Sequence, residues 1–152
     1  MTIQLTKYIP PNSDPISEKF ICYIMDGGKK TIARKIFADM LKEMEKRGHA
    51  NPKETFKHAM ESIKPSMEVR PKRVGGAVYQ VPFEVNPKRQ QMLSFQWVLK
   101  SAKARKGIPM YKKLAQEILE ANEGTGNAIK KRDDVHKMAQ ANKAFAHLAR
   151  FT

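Results

Sequence analysis

A single cysteine, Cys22, is all this chain offers to thiol chemistry. It cannot form an internal disulfide or build a zinc knuckle, and a reducing compartment is its simplest home. Long hydrophobic runs are missing too. No stretch approaches the roughly 18 consecutive apolar residues that suggest a membrane-spanning helix. The opening MTIQLTKYIPP has no apolar run behind basic residues and is not an Arg- and Ser-rich helix. Neither a secretion signal nor an organelle presequence is therefore expected. Scarcest of all is negative charge in the middle of the chain. From Val69 to Gln116 there are 11 Lys and Arg against 1 acid, Glu84, whereas Met1 to Glu68 carries 12 against 9 and Glu117 to Thr152 carries 6 against 5. Ordinary soluble surface intersperses both signs. Most of the formal charge of +14 thus lies in one third of the chain. Such an excess predicts a polyanionic partner and says little about the fold.

Catalytic constellations are also lacking. His49, His58, His136 and His147 do not reproduce a metal-binding spacing with suitable acids. His136 follows Asp133 and Asp134 closely, which suits capping near a helix start. Cys22, within FICYIM, falls at an expected core position. The nine methionines mostly follow helical core spacing. Gly28-Lys29-Lys30-Thr31 resembles a nucleotide-binding loop, but Tyr23 stands where the first glycine is required and no strand precedes it. No enzymatic role, cofactor or metal is expected.

What is present reads as one globular domain of 152 residues, 41% hydrophobic and 29% charged. Asp14 before Pro15 caps a first helix that Gly27 and Gly28 close. Ile32, Ile36, Met40 and Met44 set the stripe of a second, stopped by Gly48. Asn51-Pro52-Lys53-Glu54 starts a third that runs to Pro65. The period then changes to alternation around Met67 and Val69, and again from Tyr79 through Phe83, with Gly75-Gly76 as the turn of a hairpin. Helical spacing returns at Met92, Phe95, Leu99 and Ala102. A fifth helix begins near Pro109, and a sixth, capped by Asp133 or Asp134, runs to Leu148. The expected architecture is mainly α, a six-helix single domain with a protruding two-stranded hairpin at about residues 66–86 of domain 14–152, after an extension over 1–13.

The charge falls on particular faces. A two-residue turn at Gly75-Gly76 pairs Lys72 with Tyr79 and Arg70 with Val81, so these four share one face, with Arg73 on the other. Basic side chains interleaved with an aromatic suit phosphates and a stacked base. A solvated ribbon whose cations discourage edge pairing would look the same taken alone. On the fourth helix a narrow strip of Gln96, Lys100 and Lys103 separates two apolar sides. On the sixth, His136, Gln140, Lys143, His147 and Arg150 form one polar face. Lys29 and Lys30 occupy the first loop, and Lys130, Lys131 and Arg132 sit just before helix six. A membrane surface fits poorly, because the apolar stripes are all needed for a common core. Between RNA and DNA the residues alone decide less: an architectural DNA-bending protein of the HU type is the alternative, although the Gly75-Gly76 turn carries no proline wedge.

Three stretches then resemble a known family. PSMEVRPKRVGGAVYQVPFEV (65–85), AIKKRDDVHKMAQANKAFAHLAR (128–150) and DGGKKTIARKIF (26–37) are similar to the hairpin, last helix, and first loop and second helix of the small-subunit ribosomal protein S-seven family, bacterial and organellar type. The likeness runs in order over nearly the whole chain. It implies a ribosomal RNA-binding protein on the 3′ major domain of the small-subunit ribosomal RNA, which helps start assembly of the head. Its hairpin would lie near the exit-site tRNA and the mRNA path, beside neighbouring small-subunit proteins, in a ribosome of a bacterial cytoplasm or an organelle. Carried over, the RNA contacts are Lys29, Lys30, Arg70, Lys72, Arg73, Tyr79, Lys88, Arg89, Lys130, Lys131 and Arg132; Arg34, Lys100, Lys103 and Lys143, on helices, join them as expected RNA-binding residues. One departure stands out: only Lys7 precedes residue 15, where the family commonly carries an arginine cluster.

Overall fold

A computed structural model describes residues 9–150, so most of the expected extension lies outside the described residues. The elements run α1 (Pro15–Ile24), α2 (Lys30–Lys46), α3 (Pro52–Ile63), β1 (Met67–Val74), β2 (Ala77–Glu84), α4 (Pro87–Ala104), α5 (Met110–Asn122) and α6 (Asn127–Ala141), then a 3-10 helix over Lys143–Arg150. This is the expected mainly helical domain with one hairpin.

Four phenylalanines, one from each of the first four helices, explain how the helices meet. Phe20 of α1 sits 5.1 Å from both Phe56 of α3 and Phe95 of α4, and Phe37 of α2 lies 5.4 Å from Phe56. Tilted and edge-on rings at these distances attract beyond their buried area. Helix α5 lies against α2, α3, α4 and α6 and contributes fully buried Leu114, Ala115 and Ile118.

The proline-marked starts divide. Asp14 accepts the Ser17 N–H at 3.3 Å, as its cap-proline signature requires. Asn51 makes no side-chain cap bond. Helix α4 begins at Pro87, five residues before the stripe at Met92, because Asn86 accepts the Arg89 N–H at 2.9 Å. Lys88 and Arg89 therefore belong to the first turn of a helix rather than to a loop.

Two sequence expectations are corrected at the C-terminal end. Helix α6 starts at Asn127, not at Asp133 or Asp134. Ala128 and Ile129 are buried at 1% and 4% exposure, and burying them winds the chain into helix early. Gly126 holds a φ of +93°, a backbone conformation that side-chain-bearing residues rarely adopt, so glycine suits this entry. Lys130, Lys131 and Arg132 consequently lie within α6. That helix then ends at Ala141, where Asn142 donates from its amide back to the Met138 carbonyl at 2.8 Å. Lys143, His147 and Arg150 belong to the 3-10 segment, so the polar face expected along one continuous helix is interrupted.

The hairpin has the expected register, with Val74 opposite Ala77, Lys72 opposite Tyr79 and Arg70 opposite Val81. Positive φ at both Gly75 and Gly76 (58° and 83°) is what a two-residue turn matched to strand twist demands. Its root is not free of the body. Val81 and Pro82 are buried, the Ser66 N–H donates to His136 Nε2 at 3.0 Å, and the Ser66 carbonyl accepts from Val85 at 3.1 Å. The tip, from Arg73 to Val78, is the part that projects: Val78 is 63% exposed.

Candidate nucleic-acid interface

Helix α4 places its basic strip between two buried sides, as its periodicity predicts. Phe95, Val98 and Ala102 are fully buried on one side, and Leu93 and Trp97 nearly so on the other, while Gln96, Lys100 and Lys103 are exposed. A shallow cleft opens along each flank. One is lined by Tyr23, Gln96, Leu99, Lys100 and Lys103. The other is lined by Trp97, Lys100, Ser101, Ala104, Asn127 and Lys131. Lys100 stands on the ridge between them, and the second cleft joins the α4 strip to the first turn of α6. Two grooves sharing a lysine ridge, with hydroxyl and amide groups alongside, can hold a folded phosphate backbone in register. Ser101, Asn127 and Tyr23 carried no sequence signal for this role, since only tertiary packing brings them beside the lysines.

Other cations of the expected set are already engaged inside the chain. Arg34 forms a two-pronged pair with Glu18, its Nη2 reaching Oε2 at 2.9 Å. That pairing, with a hydrogen bond from Ser13, holds the Glu18 carboxyl below its ordinary value despite burial. Its stabilising share is therefore present at neutral pH and lost as the pH falls through the folded value. Arg70 and Arg89 both close on Glu68, a carboxylate whose side chain is only 9% exposed; Arg89 reaches it at 3.3 Å. Arg132 donates to the Ser62 carbonyl near the end of α3 and to Asp133 at 2.9 Å, so it caps one helix from another. Lys72 donates to the Leu148 carbonyl at 3.0 Å, and the Tyr79 ring packs 5.3 Å from the Phe145 ring.

Most of the arginines are held inside the chain. Arg34, Arg47, Arg70, Arg89, Arg105 and Arg132 bond acids or carbonyls of their own chain. A planar fork suits such clamps. Among the described residues the side chains of Lys88, Lys100, Lys103, Lys130, Lys131, Lys143 and Arg73 make no hydrogen bond or ion pair, and all are exposed. Lys29 and Lys30 are likewise exposed, at the start of α2 behind Gly27 and Gly28.

Arg105, in the same basic window, is turned inward. It donates from Nε to Glu117 at 2.5 Å and from Nη2 to Glu120 at 2.7 Å. Glu117 is 1% exposed, and burial raises its carboxyl above the ordinary value against the lowering pull of Arg105.

Cys22 is half-buried rather than core, at a cleft beside Lys19, Lys30 and Arg34. No group of three or more His, Cys, Asp or Glu able to hold a metal occurs among the described residues. No helix there is long and apolar enough to cross a membrane.

Residues 4–143 match the profile of the family described as Ribosomal protein S7p/S5e. The chain is 48% identical over 139 residues to the small ribosomal subunit protein uS7 of Pseudothermotoga lettingae, covering 91% of this chain and 90% of that protein. It is 49% identical over 147 residues to the uS7 of Thermotoga neapolitana, covering 93% of each. Against the uS7 of Pseudomonas paraeruginosa the identity is 46% over 138 residues, covering 91% and 88%.

Proposed function

Since the chain belongs to the ribosomal protein S7p/S5e family, we propose that it is a structural protein of the bacterial small ribosomal subunit that docks on the 3′ major domain of the ribosomal RNA. In this reading it starts assembly of the head, before neighbouring small-subunit proteins join. The hairpin tip then lies near the exit-site tRNA and the mRNA path. The observation that carries the reading is the α4 ridge, where Lys100 separates two clefts that also hold Lys103 and Lys131. Uncommitted lysines set between clefts displace counterions and fix register, while the shape of the clefts selects a folded RNA. Lys29, Lys30, Lys88, Lys130 and Arg73 extend that surface, and Lys143 adds a cation near the hairpin root. Arg34, Arg70, Arg89 and Arg132 serve it indirectly, by fixing the elements that present it. Catalysis has no place in this account.

The architectural-DNA alternative rests on charge alone, and nothing in the geometry favours it. The test of an initiating role is stepwise reconstitution. The purified chain should bind 3′-domain RNA with no other protein present, and later proteins should require it. Binding that appears only after other proteins have joined would sink the initiating role.

A further inference from the structure

The face of the hairpin that carries Lys72 and Tyr79 looks ready for a nucleotide, yet it is occupied. Lys72 and Tyr79 are directly cross-strand. The Phe145 ring lies 5.3 Å from the Tyr79 ring at 46°, and the Leu148 carbonyl accepts from Lys72 Nζ at 3.0 Å. Strand β2 packs against the 3-10 segment, and Leu148 is only 9% exposed. The segment therefore offers this face an aromatic ring and an acceptor oxygen, the two things an unpaired nucleotide would offer it. We propose that the Lys72–Tyr79 face is a binding site for an unpaired RNA nucleotide, and that the C-terminal segment Lys143–Arg150 fills it by mimicry until RNA displaces it.

The chemistry favours exchange in one direction. A 3-10 helix has poorer hydrogen bonds than an α-helix, so this segment opens more readily than α6. The Leu148 carbonyl is neutral, whereas a phosphate is charged, and charge-assisted bonds are roughly twice as strong. A base replaces Phe145 on Tyr79 with a comparable stack. Opening still has a cost, and RNA that touches only the hairpin must bear it alone. RNA that also engages the α4 ridge has binding energy to spare. The segment thus acts as a filter against generic single strands.

This proposal rests on the RNA-binding reading above, and its test separates the two. Replacing Phe145 and Leu148 with alanine in the full chain removes the ring and the buried side chain that anchor the cover, and keeps every charge. Binding of oligouridine should tighten about fivefold, the scale of one aromatic pair. Its salt dependence should steepen by about 0.7 as Lys72 gains a phosphate. Lys72→Ala/Tyr79→Ala should instead weaken binding. If that second variant binds oligouridine as well as the parent, the RNA role of this face fails. If it binds more weakly while F145A/L148A shows no gain, the mimicry alone fails. Hydrogen exchange on the unaltered chain gives a check independent of mutant folding. Adding 3′-domain RNA should speed exchange over residues 143–150 while slowing it over residues 77–83. Protection of both segments would overturn the proposal.

Discussion

Replacing Arg105 with methionine is expected to destabilise the folded chain by about 3 kcal/mol, the scale for stranding a buried charge by removing its partner. Glu117 is fully enclosed; among the described residues its Oε1 accepts from Arg105 alone and its Oε2 has no hydrogen-bond partner. Arg105 also ties the end of α4 to α5 through Glu120, so both helices lose their common clasp. The sign of the pH dependence follows from burial, which already raises the Glu117 carboxyl. Without Arg105 that value climbs further. The deficit is then absent below the unfolded carboxylate value and grows as the pH rises through the folded one. Urea unfolding of the parent and R105M at about pH 4 and about pH 8 measures it. R105M/E117Q should recover part of the loss at the higher pH, since it carries no stranded charge. An equal deficit at both pH values would mean that packing, not a stranded carboxylate, accounts for the effect.

The second large effect concerns binding. Replacing Lys100 and Lys103 with glutamine should flatten the log–log salt dependence of 3′-domain RNA binding by roughly one to two units. Both side chains are exposed and bond none of the described residues, so helix content and melting should stay as in the parent. Arg105 provides the internal contrast. Although it sits two residues beyond Lys103, R105M should cost stability and leave the salt slope within a few tenths of the parent's. An unchanged slope in K100Q/K103Q would return the α4 strip to ordinary solvated surface.

That contrast also shows where sequence reasoning stops. The 11-to-1 window ran from Val69 to Gln116, and the acids that neutralise three of its arginines lie directly outside it. Glu68 holds Arg70 and Arg89, and Glu117 holds Arg105. A linear count is blind to such partners, so it overstated the open charge while pointing to the right third of the molecule. Local rules fared better. The hairpin register was legible because a two-residue glycine turn fixes pairing. The α4 strip was legible because helical period places Gln96, Lys100 and Lys103 on one line. Asn86-Pro87 carries the same cap signature as Asp14-Pro15, and reading it would have put Lys88 in the first turn of α4. The start of α6 was hidden by Asp133 and Asp134, which look like caps. The deciding term was burial of Ala128 and Ile129, a tertiary effect. The cover of Tyr79 by Phe145 was likewise out of reach, since the residues lie 66 positions apart.

The central claim is that this basic surface is shaped for folded ribosomal RNA and is not a generic polyanion footprint. Competition binding at moderate salt tests it most directly, with labelled 3′-domain RNA challenged by the same RNA unlabelled, by a scrambled structured RNA and by duplex DNA. The account predicts that only the cognate fragment competes efficiently. Equal competition by duplex DNA would contradict it.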